Sequence, residues 1–112
     1  MRYTLDSSEL TRRVTIQSRP TGRGILGDQS TAWTDLVKCW AGIEQLQGRE
    51  LSLAQAINSE VTHKVTMRYR AGITAAQRVV YQGRVFNVLD VLDPETAHVA
   101  LELMCSEGLN EG

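Results

Sequence analysis

Several features that would point to a membrane, secreted or redox protein are scarce in this sequence of 112 residues. It has no apolar run of about 18 residues, so no segment is predicted to span a membrane. Residues 1–10 are polar and lack the apolar stretch of a signal peptide. The two cysteines, Cys39 and Cys105, lack the paired spacing of a zinc or redox site. We therefore expect a cytoplasmic place of synthesis and reduced thiols in the core, although the sequence leaves a bridge between them open.

Groups that carry catalytic or ligand-binding chemistry are also few. The two histidines, His63 and His98, have no second His or Cys at ligand spacing. No serine lies in a nucleophile-elbow sequence, and the acids are scattered. Gly22-x-Gly24-x-x-Gly27 matches a dinucleotide-binding pattern but lacks the strand and helix that this pattern needs around it. We therefore predict a protein that is not an enzyme, with no catalytic residue, cofactor or metal.

Charge is distributed unevenly along the chain. The net charge is −1, but Asp93 to Gly112 contain five acids and no Lys or Arg, which leaves +4 on the other 92 residues. A solvated acidic tail is the simpler interpretation. The alternative is that unlike faces of identical subunits meet when they pack head to tail.

Alternation of apolar and polar residues predicts the secondary structure. The six predicted strands are Arg12–Ser18, Trp33–Leu46, Glu60–Arg70, Arg78–Tyr81, Arg84–Leu92 and His98–Cys105. A short helix is predicted over Arg49–Ile57, with Leu53 and Ile57 spaced to share one face. Because it has only about two to three turns, this helix should need tertiary packing.

The order of these elements predicts a mainly β protein of one domain, residues 1–112. Six strands with one short helix between the second and third suggest a small closed antiparallel β-barrel. We expect residues 10–107 to form the ordered core and residues 107–112 a frayed tail. Pro20–Thr31 is rich in glycine and unusually long for a hairpin connection, which is typical of functional loops.

Strand parity places some polar and aromatic residues outside the barrel. Trp40 falls opposite the presumed core face of the second strand, unless a bulge at Gly42 resets the register. Lys64, Arg68 and Arg70 share the outer face of the third strand. Small barrels can bind single-stranded nucleic acid through basic and aromatic surfaces. Aromatic residues at 5% and the negative net charge favour a solvated face or a subunit contact instead.

A series of short motifs runs along the chain from about Leu10 to Glu107. The motifs are Leu10–Ile16 (LTRRVTI), Trp33 after a Gly-rich loop, Trp40-Ala41, Gly48–Ile57, Arg68-Tyr69-Arg70, Gly72-Ile73, Gly83–Val88 (GRVFNV) and Leu103–Glu107 (LMCSE). In their order and spacing, these motifs resemble the head-tail adaptor (head-tail joining, or head-closure) family of tailed bacteriophages and prophages.

The resemblance implies a structural virion protein without catalytic turnover. Members of this family form a ring below the portal or its adaptor after DNA packaging, close the filled head and present a surface to the tail. We expect a portal or adaptor ring and a tail-side neck protein as partners, with monomers before assembly and packaged DNA nearby. Other neck and tail-completion proteins share this size and class.

The resemblance also suggests candidate partner-binding residues. The loop Pro20–Thr31 would reach the channel or the neighbouring ring, and Arg68 and Arg70 would contact carboxylates of a neighbouring subunit or the portal. The full candidate set is Arg23, Ile25, Leu26, Trp40, Lys64, Arg68 and Arg70.

Overall fold

The computed structural model describes residue 5, residues 7–19 and residues 33–108. Within these ranges a 3-10 turn at Ser7–Glu9 precedes six strands and one α-helix. In chain order these elements are β1 (Arg12–Ser18), β2 (Thr34–Gln45), α1 (Gly48–Ile57), β3 (His63–Arg68), β4 (Arg78–Tyr81), β5 (Arg84–Leu92) and β6 (Ala100–Gly108). A second 3-10 turn, Pro94–Thr96, connects β5 to β6.

The strands form a closed antiparallel barrel in the order β1-β2-β3-β6-β5-β4. This confirms the predicted fold, including the helix between the second and third strands. Closure gives each strand a neighbour on both sides for at least part of its length, which protects backbone N–H and C=O groups from pairing with other chains.

Alternating side chains from all six strands fill the barrel. Phe86 is the largest of the fully buried side chains, and Ile16, Met67 and Leu103 are also buried. The remaining core residues are Val14, Ala41, Val65, Ile73, Val79, Val88, Leu101 and Cys105. Burial raises the pKa of the Cys105 thiol to about 12, so Cys105 is a neutral core residue. Both cysteines are free thiols in the structure.

The second strand changes neighbours along its length, and only Ala41 pairs with both β1 and β3. Residues Ala41–Gln45 of β2 pair with His63–Met67 of β3, whereas Thr34–Trp40 pair with β1 alone. The β2–β3 pairing therefore covers the end of β2 nearest α1, and the barrel opens between β2 and β3 toward the other end. No bulge occurs at Gly42, and Trp40 lies outside as strand parity predicts.

The helix differs from its predicted role. The length of the helix predicts tertiary packing, but Leu53 and Ile57, which share its apolar face, are 61% and 88% exposed, and α1 contains no buried residue. Contacts beside the apolar pair hold the helix instead. The Gln55 side chain donates to the Val61 carbonyl oxygen at 2.9 Å, and Lys64 Nζ lies 3.5 Å from a Glu50 carboxylate oxygen. The i, i+4 spacing identified an apolar face but could not show whether the barrel would cover it.

Three strands have bounds that differ from the prediction. The second strand, Thr34–Gln45, is one residue shorter at each end, and the third, His63–Arg68, is shorter at both ends than Glu60–Arg70. The last strand begins at Ala100 and extends to Gly108, so Glu107, expected in a frayed tail, pairs with Phe86 instead. The predicted loop Pro20–Thr31 lies outside the described residues. No helix in the described ranges is long and apolar enough to cross a bilayer.

The segment before β1 crosses the outside of β2 at Gly42. A Cβ atom at Gly42 would lie 2.8 Å from the carbonyl oxygen of Glu9, closer than side chains can approach. Glycine therefore allows this close approach, and Leu10 is buried beside it. The crossing segment borders the outer surface on which Trp40 lies.

Candidate protein-binding surface

An exposed tryptophan marks the outer wall of the barrel where β2 loses its β3 neighbour. Trp40 is 52% exposed. Its register partner on β1 is Arg13, whose guanidinium carbon lies 5.5 Å from the ring centroid. This geometry is within cation–π range, so Arg13 holds one face of the indole in place while the rest stays open to solvent.

A cleft separates β2 from the end of β3 beside this tryptophan. We call it the β2–β3 cleft. Its apolar floor comes from Val37, Cys39 and Met67, which belong to the core or pack against it. The polar rim is built from both sides, and the residues that line the cleft are Val37, Lys38, Cys39, Trp40, Met67, Arg68, Tyr69 and Arg70.

The rim of the cleft is cationic. Lys38, Arg68 and Arg70 on the rim, and Arg13 beside Trp40, are exposed. None of these four cations lies within 4.0 Å of a carboxylate in the described part of the chain. Burial raises the pKa of the Cys39 thiol, and the positive charges of Arg13 and Arg70 oppose that rise. Positive charge therefore reaches the cleft from both of its sides, which favours binding of an anionic protein segment or another anion.

Lys64, predicted to share this basic face, has different surroundings. Its ammonium lies 3.6 Å from a Glu44 carboxylate oxygen and 3.5 Å from one of Glu50. Burial alone would lower the pKa of Lys64, but Glu102, Glu44 and Glu50 outweigh it and raise the pKa. Lys64 thus links α1 to the barrel. The structure brings Trp40, Arg68 and Arg70 together and separates Lys64 from them.

The other candidate residues, Arg23, Ile25 and Leu26, lie outside the described residues. Their proposed part in partner binding stays a prediction.

A second aromatic and basic cluster, not predicted from the sequence, lies at the start of β2. The guanidinium carbons of Arg19 and Arg78 lie 5.0 Å and 4.3 Å from the Trp33 ring centroid. Arg78 donates to Gln17, which in turn donates to Asp35. No local pattern in the sequence indicates this cluster, because Arg78 is distant in the chain and only the β1–β4 pairing brings it here.

A third polar cluster lies at the end of the barrel near α1. Arg84 makes two hydrogen bonds to the Glu107 carboxylate, at 2.9 and 3.0 Å. The hydrogen bonds from Arg84 lower the pKa of Glu107 and raise that of Arg84. His63 is buried beside this pair, with Nε2 3.8 Å from a Glu107 oxygen and its ring edge against Phe86.

The stability of the barrel is expected to fall as the pH drops from about 7.5 to 5.5, through the ordinary His pKa of ~6.5. Burial lowers the pKa of His63; Glu107 raises it, but burial is the larger effect. The unfolded chain therefore binds more protons in this range, and protonation favours unfolding. Urea titrations across the range should show this slope in the native protein and a weaker one in His63→Gln. An undiminished slope in the variant would contradict the assignment.

The described residues show no arrangement typical of a metal site. No three His, Cys, Asp or Glu side chains in residues 7–19 and 33–108 are grouped to hold an ion. The surface there includes the cationic β2–β3 cleft, the half-buried Trp33 with its arginines, and the exposed apolar face of α1. Each of them is suited to macromolecular contact.

The chain belongs to the family of phage head completion proteins, which matches it over residues 5–108. It is 26% identical over 109 residues to head completion protein gp7 of Enterobacteria phage HK97, covering 93% of this chain and 97% of that protein. Its fold is similar to the solution structure of protein SF1141 from Shigella flexneri 2a. That match has a TM-score of 0.74 and 27% identity, and it covers 96% of this chain and 100% of the other.

These comparisons confirm the resemblance that the motifs indicated. The chain has a structural role at the head–tail region of a phage and is a virion component.

Proposed function

We propose that this protein forms a ring at the head–tail interface, closes the DNA-filled head and provides the surface to which the tail attaches. The observation that carries the proposal is the family match over residues 5–108, together with a complete barrel across that range. The protein would act by assembly, without catalytic turnover. Its partners would be a portal or adaptor ring on the head side and a neck or tail protein on the other, and assembly would take place in the host cytoplasm.

The β2–β3 cleft supports a protein contact on the wall of the barrel. It combines exposed Trp40 with Arg68 and Arg70, and aromatic residues and arginine are enriched at protein interfaces. The three rim cations and Arg13 have no carboxylate partner in the described residues, so an acidic partner surface would supply one. We propose Trp40, Arg68 and Arg70 as the contact residues, and Lys64 as a residue that positions α1.

Interrupting the gene in its phage or prophage is expected to yield unjoined heads and complete, separate tails in electron micrographs of the lysate. The reason is that a missing head-closure ring leaves no surface for tail attachment, while each half assembles on its own pathway. Supplying the wild-type gene in trans should restore joined particles. Joined particles of normal yield without the gene would contradict the proposal.

A single-stranded nucleic-acid-binding module is the second candidate, and the clustering of cations around Trp40 and Trp33 favours it. Such a module should bind single-stranded DNA with an affinity that falls steeply as salt rises. A head-closure protein should show no such salt-dependent retention. Filter binding at low and physiological salt, compared with the gene interruption, separates the two.

A further inference from the structure

The β2–β3 cleft contains a free strand edge. Residues Thr34–Trp40 pair with β1 on one side, and no backbone hydrogen bond from the described residues reaches them on the other. In an antiparallel strand, alternate residues point both N–H and C=O toward the same neighbour. Half of these backbone groups therefore face away from β1, and those of Val37–Trp40 border the cleft, so an added strand could pair with them.

The side chains beside this edge specify what could pair with it. Lys38 stands on the edge strand, Arg13 beside it on β1, and Arg68 and Arg70 on the opposite side of the cleft. Trp40, Tyr69 and Leu36 supply exposed apolar surface close by. An incoming segment would therefore be extended, acidic on its outer positions, and apolar or β-branched between them.

Other occupants fit less well. Nucleic acid would satisfy the cations, but its phosphate backbone only accepts hydrogen bonds and does not offer the regular alternation of donors and acceptors that a second strand brings to the edge. A second copy of this chain could supply β5 as the added strand, with Asp90 as its acidic residue. However, the Asp90 carboxylate already accepts a hydrogen bond from the Val91 N–H at 2.9 Å, so this N–H is not available to pair with the free edge.

We propose that the free edge of β2, Thr34–Trp40, binds an extended acidic segment of a partner head or tail protein by strand addition. The inference rests on the proposed structural role and gives its contact a defined geometry. Backbone pairing would supply affinity, and Arg68, Arg70 and Lys38 would select for acidic side chains.

The test uses the isolated full chain, labelled with nitrogen-15, and a synthetic peptide, acetyl-Val-Glu-Val-Asp-Val-Glu-Val-amide. Two matched peptides carry lysine in place of the acids, or N-methyl groups on alternate residues that remove backbone donors. A twelve-residue oligothymidine tests nucleic acid. Backbone amide spectra and hydrogen exchange report which residues each probe contacts. Arg68→Ala with Arg70→Ala removes the two arginines from the rim, and Arg49→Ala on α1 is the control.

The proposal predicts that the acidic peptide slows amide exchange within Thr34–Trp40, and that the lysine and N-methyl peptides do not. The double variant should weaken binding at least about tenfold, and Arg49→Ala should leave it unchanged. No binding at millimolar peptide, equal binding of the matched peptides, contact at another surface, or oligothymidine binding in place of the peptide would overturn it. Concentration-dependent protection of these amides without peptide would show a second copy as the occupant, and would also overturn it. Because particle assembly is not measured, failure here leaves the proposed function to its own test.

Discussion

Replacing Phe86 with alanine is expected to lower the free energy of unfolding by about 3–5 kcal/mol. Phe86 is fully buried and is the sole phenylalanine of the chain. On β5 it pairs with Val79 of β4 on one side and Glu107 of β6 on the other, so its ring fills the barrel where three strands meet. Truncation removes apolar contact area and leaves a cavity that closed strands cannot collapse around.

The loss should extend to the neighbouring polar cluster. The Phe86 ring packs edge-on against His63 at 5.0 Å, and the Arg84 guanidinium carbon lies 5.0 Å from its centroid. Without the ring, water reaches His63, and the burial that lowers the His63 pKa is reduced. Native proteins have a free energy of unfolding of about 5–15 kcal/mol, so the substitution would remove a large share of the stability.

Urea denaturation of the wild type, Phe86→Ala and a matched control on the same strand would check this. Leu92→Ala is the control, since Leu92 is 41% exposed and should cost about 1 kcal/mol or less. The slope of each transition should stay constant if unfolding remains two-state. Equal midpoints for the two variants would contradict the assignment of Phe86 to the centre of the core.

The sequence was most informative where local chemistry and alternation agree. The β4–β5 hairpin was predicted with its observed bounds, because alternation ends on both sides of Gln82-Gly83 and both residues adopt positive φ in the turn. Trp40 was placed outside by strand parity alone. Parity is local, so no knowledge of the partner strands was needed.

Prediction failed where the answer depends on which strands meet. The role of Lys64 depends on Glu44, its register partner on β2, and on Glu50 of α1. The free edge of β2 exists because pairing with β3 stops at Ala41, a register that no local pattern encodes. The Arg84–Glu107 pair joins residues 23 positions apart, and only the β5–β6 ladder brings them together. The apolar face of α1 is likewise exposed because the wall of the barrel does not cover it.

Reversing the charge of two arginines, Arg68→Glu with Arg70→Glu, is expected to abolish the joining of heads and tails while leaving the fold intact. Both side chains are exposed and have no carboxylate partner in the described residues, so the reversal should change stability by about 0.5 kcal/mol or less. At an interface, losing one partner of a charge pair costs about 2 kcal/mol or more, roughly thirtyfold in affinity. Two reversals also add repulsion toward the acidic partner surface.

The measurement is complementation of a phage with the interrupted gene, with joined particles counted by electron microscopy and the purified variant tested for its thermal transition. Arg49→Glu provides the matched control, because Arg49 is an exposed arginine on α1, away from the cleft. Arg68→Lys with Arg70→Lys keeps the charge but removes the planar, bidentate donors, so it should restore joining only in part if these arginines bind carboxylates directly. Full joining by the charge-reversed variant would remove the cleft from the head–tail contact. Failure of the Arg49 control as well would show that general surface charge, not this cleft, governs assembly.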